Sequence, residues 1–222
     1  MNAKTIRQTL DTIAEMFPDA RCELNHSNPF ELTIAVLLSA QCTDETVNKV
    51  TVDLFRKYRK PEDYLSVPLE ELENDIRRIG LFRNKAAHIQ KLCKLVIDKH
   101  GGEIPREHSL LTELPGVGRK TANVVMSNAF DVPAIAVDTH VERVSKRLGI
   151  ALPDDSVLEV EKKLMRKVPQ DEWTITHHRL IFFGRYHCKA QNPKCEVCPL
   201  VMHCKEGKAR MKPATKKRSV TK

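Results

Sequence analysis

Glycine is scarce in this chain, 8 in 222 residues, and no stretch alternates apolar and polar side chains as a half-buried strand would. Apolar residues recur at helical spacing almost throughout, so the expected fold class is all-α. No run is long and apolar enough to span a membrane. The N-terminal MNAKTIRQTLDTIAEMF is an amphipathic helix without the apolar core of a signal peptide. These absences predict a cytosolic protein, with enough length for one large or two small domains.

Net charge is also thin over most of the chain. The formal net charge is +8, but residues 205–222 hold Lys205, Lys208, Arg210, Lys212, Lys216, Lys217, Arg218 and Lys222 against Glu206, which is +7 and leaves +1 for the rest. A nearly neutral body still binds a polyanion through a local patch. The end itself, 208–222, reads either as a solvated disordered tail or as a non-specific phosphate contact.

The segment ELPGVGRKTAN, residues 113–123, lacks what a nucleotide loop requires. A P-loop needs glycine directly before its lysine and another glycine five residues before that one; Arg119 and Leu114 stand there. A dinucleotide fingerprint would need a third glycine where Thr121 stands, and a preceding strand where Ser109 to Leu114 reads as a short capped helix. What remains is a tight turn, Pro115 to Gly118, followed by Ala122, Val125, Met126 and Ala129 at helical spacing. That is helix, turn, helix.

Seven cysteines, an odd number, fall into two groups. Cys22, Cys42 and Cys93 sit among apolar neighbours and read as buried structural thiols. Cys188, Cys195, Cys198 and Cys204 have the spacing C-x6-C-x2-C-x5-C, with Pro193 and Pro199 among them, which points to one metal centre in a reducing compartment. Spacing leaves zinc and a [4Fe-4S] cluster both open, and His187 or His203 could replace a thiolate at zinc.

Start and stop signals organise the rest. Asn28 and Pro29 open FELTIAVLLSAQ, and a second helix runs from Asp44 to Tyr58 with Val47, Val50 and Leu54 inward. Gly80 is expected to stop LEELENDIRRI, and Gly101 and Gly102 to end a helix bearing Ala86, Ile89, Cys93 and Val96. Thr139 and Glu142 spell a capping box, with Gly149 closing that helix. Two more helices, near Ser156 to Arg166 and Glu172 to Arg185, lead into the cysteines.

LPGVGRKTA, VDTH and the terminal cysteines, with SAQCTD and RIGL upstream, occur in one order along the chain. In this the sequence resembles the endonuclease III family, bifunctional DNA glycosylases and AP lyases of the helix-hairpin-helix superfamily, over roughly residues 1–205. The resemblance implies a [4Fe-4S] cluster, one per chain, on Cys188, Cys195, Cys198 and Cys204. It implies two helical domains: a six-helix barrel with the helix-hairpin-helix at 22–132, and a discontinuous cluster domain of 1–21 and 133–207. The implied substrate is double-stranded DNA containing oxidised pyrimidines, such as thymine glycol, or abasic sites, handled by a monomer in the bacterial cytoplasm at the nucleoid.

Taken alone, Lys120 reads as a surface lysine, Asp138 as a helix-start acid, Gln41 as a helix-end hydrogen bonder and Leu81 as a core residue. The resemblance reassigns all four. Lys120 becomes the nucleophile that forms a Schiff base, its neutral form favoured by the positive end of the following helix and by burial in the active site. Asp138 becomes the second catalytic residue. Gln41 and Leu81 fill the gap left by a flipped nucleotide. Gly116, Val117 and Gly118 offer backbone amides to a DNA phosphate, Lys189 and Lys194 meet the backbone from the cluster loop, and Asp44 and His140 support the active-site cleft. Two alternatives stay open: an adenine glycosylase, which would lack the lysine amine, and a non-catalytic DNA-binding metal module.

Overall fold

The computed structural model describes residues 2–211, and among them every regular element is helical. In chain order these are α1 (Ala3–Met16), α2 (Pro29–Ser39), α3 (Asp44–Lys57), α4 (Pro61–Leu65), α5 (Leu69–Asp75), α6 (Phe82–His100), α7 (His108–Glu113), α8 (Arg119–Ala129), α9 (Thr139–Arg147), α10 (Val157–Lys167), α11 (Trp173–Phe182) and α12 (Lys205–Met211). A π-helical turn, Phe183–His187, continues α11. The described residues divide into two compact units: residues 22–136, and residues 2–21 with 137–211.

In the first unit α2 is the central element, because it is apolar on every side and therefore demands burial on every side. Leu32, Thr33, Ile34, Ala35 and Leu38 are fully covered, and α3, α6 and α8 pack on it. Asn28 caps it by accepting from the Glu31 amide at 2.9 Å, with Pro29 in the first turn. Val47, Val50 and Leu54 of α3, Ile89, Leu92 and Val96 of α6, and Ala122 and Val125 of α8 complete this core. Each large aliphatic side chain so covered contributes about 1.5–3 kcal/mol relative to exposure. α6 ends as expected, with Gly101 at φ 62° and the Gly102 amide donating to Val96 O at 3.1 Å.

Three expectations need correction. The helix of LEELENDIRRI stops at Asp75, well before Gly80; three-residue turns, Arg77 N–H to Asn74 O and Ile79 N–H to Ile76 O, replace it and seat both isoleucines in the core. Ser109 caps nothing: α7 starts at His108, with Glu107 in the cap position and no side-chain cap. Of the three cysteines expected inside, only Cys93 is buried, and burial pushes its thiol up to about 12. Cys22 and Cys42 are half-buried.

In the second unit α1 buries Ile6, Thr9 and Ile13 and packs on α11, which packs on α9, as does α10. The Phe17 ring meets Phe182 and Phe183 edge-on at 6.2 and 6.3 Å. α10 carries the capping box of Ser156 and Glu159. Lys208 and Arg210, expected in a disordered tail, belong to α12, where Arg210 pairs with Glu206 at 2.8 Å. The rest of the tail, 212–222, lies outside the described residues. No helix among the described residues is long and apolar enough to cross a membrane.

Candidate functional site

The turn between α7 and α8 is closed by the Val117 amide donating to Leu114 O at 3.0 Å. Pro115 in its second position and Gly116 at φ 82° in its third give the type II pattern. Gly116 is required twice over, since a Cβ there would also lie 2.8 Å from Leu37 Cδ1 and 3.2 Å from His88 Cβ. Gly118 differs: its φ is −90°, and a Cβ would meet nothing within 4 Å. The protein itself therefore leaves the space beside Gly118 open, at a helix start without a side-chain cap. Val117 has a buried side chain and an amide engaged in the turn, so of the three turn residues Gly116 and Gly118 present backbone at the surface. Lys120 follows in the first turn of α8 and is exposed. The helix end expected behind its amine is present; the expected burial is not.

Asp138 is itself the cap of α9, which corrects the capping box expected of Thr139 and Glu142. Its Oδ1 accepts from the amides of His140 at 2.9 Å and Val141 at 2.8 Å, while Glu142 takes the Lys146 ammonium at 2.6 Å. Aspartate wins the position because its short carboxylate reaches two orphan amides and carries the charge that a helix start favours. Its second oxygen is outside the cap. His140 is half-buried, and burial holds its ring below the ordinary imidazole range. Arg143 Nη2 lies 3.2 Å from His140 Nδ1; as arginine only donates, that nitrogen accepts and the proton sits on Nε2. Arg143 also donates to Gly184 O and Cys188 O at 2.9 and 3.2 Å. A Cβ at Gly184 would stand 2.9 Å from His140 Cβ, so glycine there lets α9 and the π-helical turn meet.

Cys188, Cys195, Cys198 and Cys204 line one shared cavity, together with Arg147, Phe183, His187 and Lys194 among others. Donors address its sulfurs: Arg147 Nη1 to Cys188 Sγ at 3.5 Å, the Gly207 amide to Cys204 Sγ at 3.3 Å, and the Leu200 backbone to Cys198. Arg147 further holds Lys189 O at 2.7 Å and Ala190 O at 3.1 Å. Four thiols around a shared space suit a group with four corners. His203 does not line the cavity, and His187 stacks on Phe183 at 5.1 Å. Lys189 and Lys194 are exposed on this loop.

Gln41 and Leu81 share a feature the sequence does not advertise: both are non-glycine residues in the left-handed region, at φ 56° and 59°. Such backbone is strained and persists where the surroundings enforce it. Leu81 is 57% exposed, not a core residue, and Gln41 is exposed as well. A Cβ at Gly80 would lie 3.5 Å from Gln41 O, so the two turns abut. Asp44 opens α3, half-buried, behind the Thr43 cap.

Sequence reading passed over three residues. Arg143 and Arg147 tie α9 to the cysteine loop, and nothing but their spacing of four on one helix hinted at it. Lys85 is buried, with Nζ donating to Leu38 O and Ala40 O. Its signal was legible, since it interrupts the apolar stripe of Phe82, Ala86, Ile89, Leu92 and Val96.

Comparison with known proteins gives the chain a family. Residues 34–170 match the model of the HhH-GPD superfamily base excision DNA repair proteins, and residues 188–204 that of the iron–sulfur binding domain of endonuclease III. The chain is 67% identical to endonuclease III of Bacillus subtilis strain 168 over 98% of its length and 100% of that protein's. It is 46% identical to endonuclease III of Escherichia coli strain K12 over 89% and 93%. Among solved structures, a trapped endonuclease III–DNA covalent intermediate, an estranged-adenine complex, superposes with a TM-score of 0.94 at 69% identity over 96% of this chain and 100% of that one. A family model that spans more than half of the chain and relatives this similar over nearly all of its length place it: the chain belongs to the endonuclease III family of the HhH-GPD superfamily of base excision DNA repair proteins.

Proposed function

We propose that Lys120 and Asp138 carry the chemistry of this chain. Endonuclease III proteins are DNA glycosylases and AP lyases of base excision repair, and as one of them this chain removes oxidised pyrimidines from double-stranded DNA and cleaves at abasic sites. The observation that carries the residue assignment is the exposed amine of Lys120 in the first turn of an α8 whose N-terminus has no side-chain cap and whose Gly118 leaves space open. A phosphate seated there on backbone amides would present the adjoining sugar to the amine.

In this reading the Lys120 nitrogen attacks C1′, the N-glycosidic bond breaks, and the base leaves with its electron pair and takes up a proton. Opening of the sugar gives the imine. Loss of a proton from C2′ then expels the 3′ phosphate by β-elimination, and water hydrolyses the imine to free the lysine. Asp138 stabilises positive charge on the sugar as the base departs and relays protons, with Asp44 and His140 in support. Gln41 and Leu81 occupy the gap left by the flipped nucleotide.

The [4Fe-4S] cluster is part of this family's chemistry, and Cys188, Cys195, Cys198 and Cys204 are its proposed ligands; with all four corners held, it fixes the loop bearing Lys189 and Lys194. By the same reading residues 22–132 form the barrel domain, and the enzyme works as a cytoplasmic, nucleoid-associated monomer. The test is borohydride reduction with abasic-site DNA. Wild-type protein should give a covalent adduct, and Lys120→Ala should give none while still binding lesion DNA. Trapping of Lys120→Ala would make another amine the nucleophile.

A further inference from the structure

Lys85 is only 5% exposed, and neither of its hydrogen bonds goes to a carboxylate. Its Nζ donates to Leu38 O at 2.9 Å and Ala40 O at 2.5 Å, the last carbonyls of α2, where the negative end of the helix lies. A glycine in the left-handed cap conformation would satisfy such carbonyls without taking a cation out of water. The buried ammonium therefore calls for a reason beyond closing a helix. That reason lies in what it joins. The chain leaving Ala40 enters Gln41 at φ 56°, and α6, which carries Lys85, starts from Leu81 at φ 59°. The Lys85 amide also donates to Leu81 O at 3.1 Å, and the Gly80 turn lies against Gln41 O.

We propose that Lys85 is a positioning residue that locks the Gln41 and Leu81 turns into one rigid pair, so that both side chains enter the DNA stack together. The proposal rests on reading those two residues as the gap fillers. Lysine suits the task because one ammonium, on a stem long enough to cross the core, reaches two carbonyls of another helix.

The test compares Lys85→Met with wild type on two substrates. One is duplex DNA with an oxidised pyrimidine and 2-aminopurine opposite, whose fluorescence reports unstacking; the other is single-stranded abasic DNA, where no stack must be opened and Schiff-base trapping is read. Excision from the duplex and the 2-aminopurine rate should each fall about tenfold further than single-strand trapping does. Lys85→Arg keeps charge and donors and should show a smaller loss with the same substrate bias, which keeps the proposal testable should Lys85→Met fail to fold. Equal losses on both substrates, or an unchanged 2-aminopurine rate, would overturn it and reduce Lys85 to a fold-stabilising residue. Gln41→Ala and Leu81→Ala in the same assays separate the two ideas. If they slow duplex opening and Lys85→Met does not, the lock fails alone; if they change nothing, the gap-filling reading fails and the lock with it.

Discussion

In the proposed mechanism Asp138 holds two jobs in one carboxylate. Oδ1 caps α9 through the His140 and Val141 amides, and only the charge and the remaining oxygen are left for chemistry. The two are separable, because asparagine is as good an N-cap as aspartate whereas alanine is a poor one. Asp138→Asn should therefore keep thermal stability within about 0.5 kcal/mol and still bind damaged DNA, while turnover falls by about 100-fold or more, the scale on which removal of an electrostatic stabiliser acts. Asp138→Ala should lose about 1 kcal/mol of stability besides. Paired melting curves and single-turnover excision rates check this, and near-normal excision by Asp138→Asn would leave Asp138 as a cap alone.

At the scale of the element, the α7–α8 hairpin sets two glycines with opposite reasons side by side. Gly116 is dictated from within, by φ 82° and by Leu37 and His88 standing where a Cβ would go. Gly116→Ala should destabilise the protein by about 2–4 kcal/mol, from left-handed strain and overpacking together. Gly118 faces nothing within 4 Å, so Gly118→Ala should cost about 1 kcal/mol or less, as an alanine in the cap position. DNA affinity should reverse that order per unit of stability lost: Gly118→Ala weakens binding in a folded protein. Calorimetry and filter-binding on both variants would show it, and full DNA affinity in folded Gly118→Ala would remove the phosphate from this turn.

For the whole molecule, net charge is a matter of one end. Lys208 and Arg210 belong to α12, whose Gly207 amide donates to Cys204 Sγ, so truncation is informative only beyond Met211. Deleting 212–222 removes Lys212, Lys216, Lys217, Arg218 and Lys222. It should weaken binding to damaged and undamaged DNA alike, and for every DNA phosphate no longer neutralised the log–log salt dependence should flatten by about 0.9. Lesion preference should persist, because Gln41 and Leu81 are untouched. An unchanged slope would mean the tail is solvated, and a selective loss of lesion recognition would give it a role no charge count suggests.

Helical periodicity, the Asn28, Gly101 and Ser156 helix ends, and the grouping of four cysteines were all legible in the sequence, since each depends on residues within a turn or two of one another. So was the hairpin ahead of Lys120, whose Pro-Gly pair specifies its own turn. Other features were decided by the tertiary structure. Leu81 is exposed although its residue type favours the core, and it shares a left-handed backbone with Gln41 because two turns distant in sequence are pressed together at Gly80. Lys85 stands on an apolar stripe as an apparent error of pattern until Leu38 and Ala40, more than forty residues earlier, supply its carbonyls. Local sequence sets which conformations are cheap; long-range packing decides which costly ones are kept.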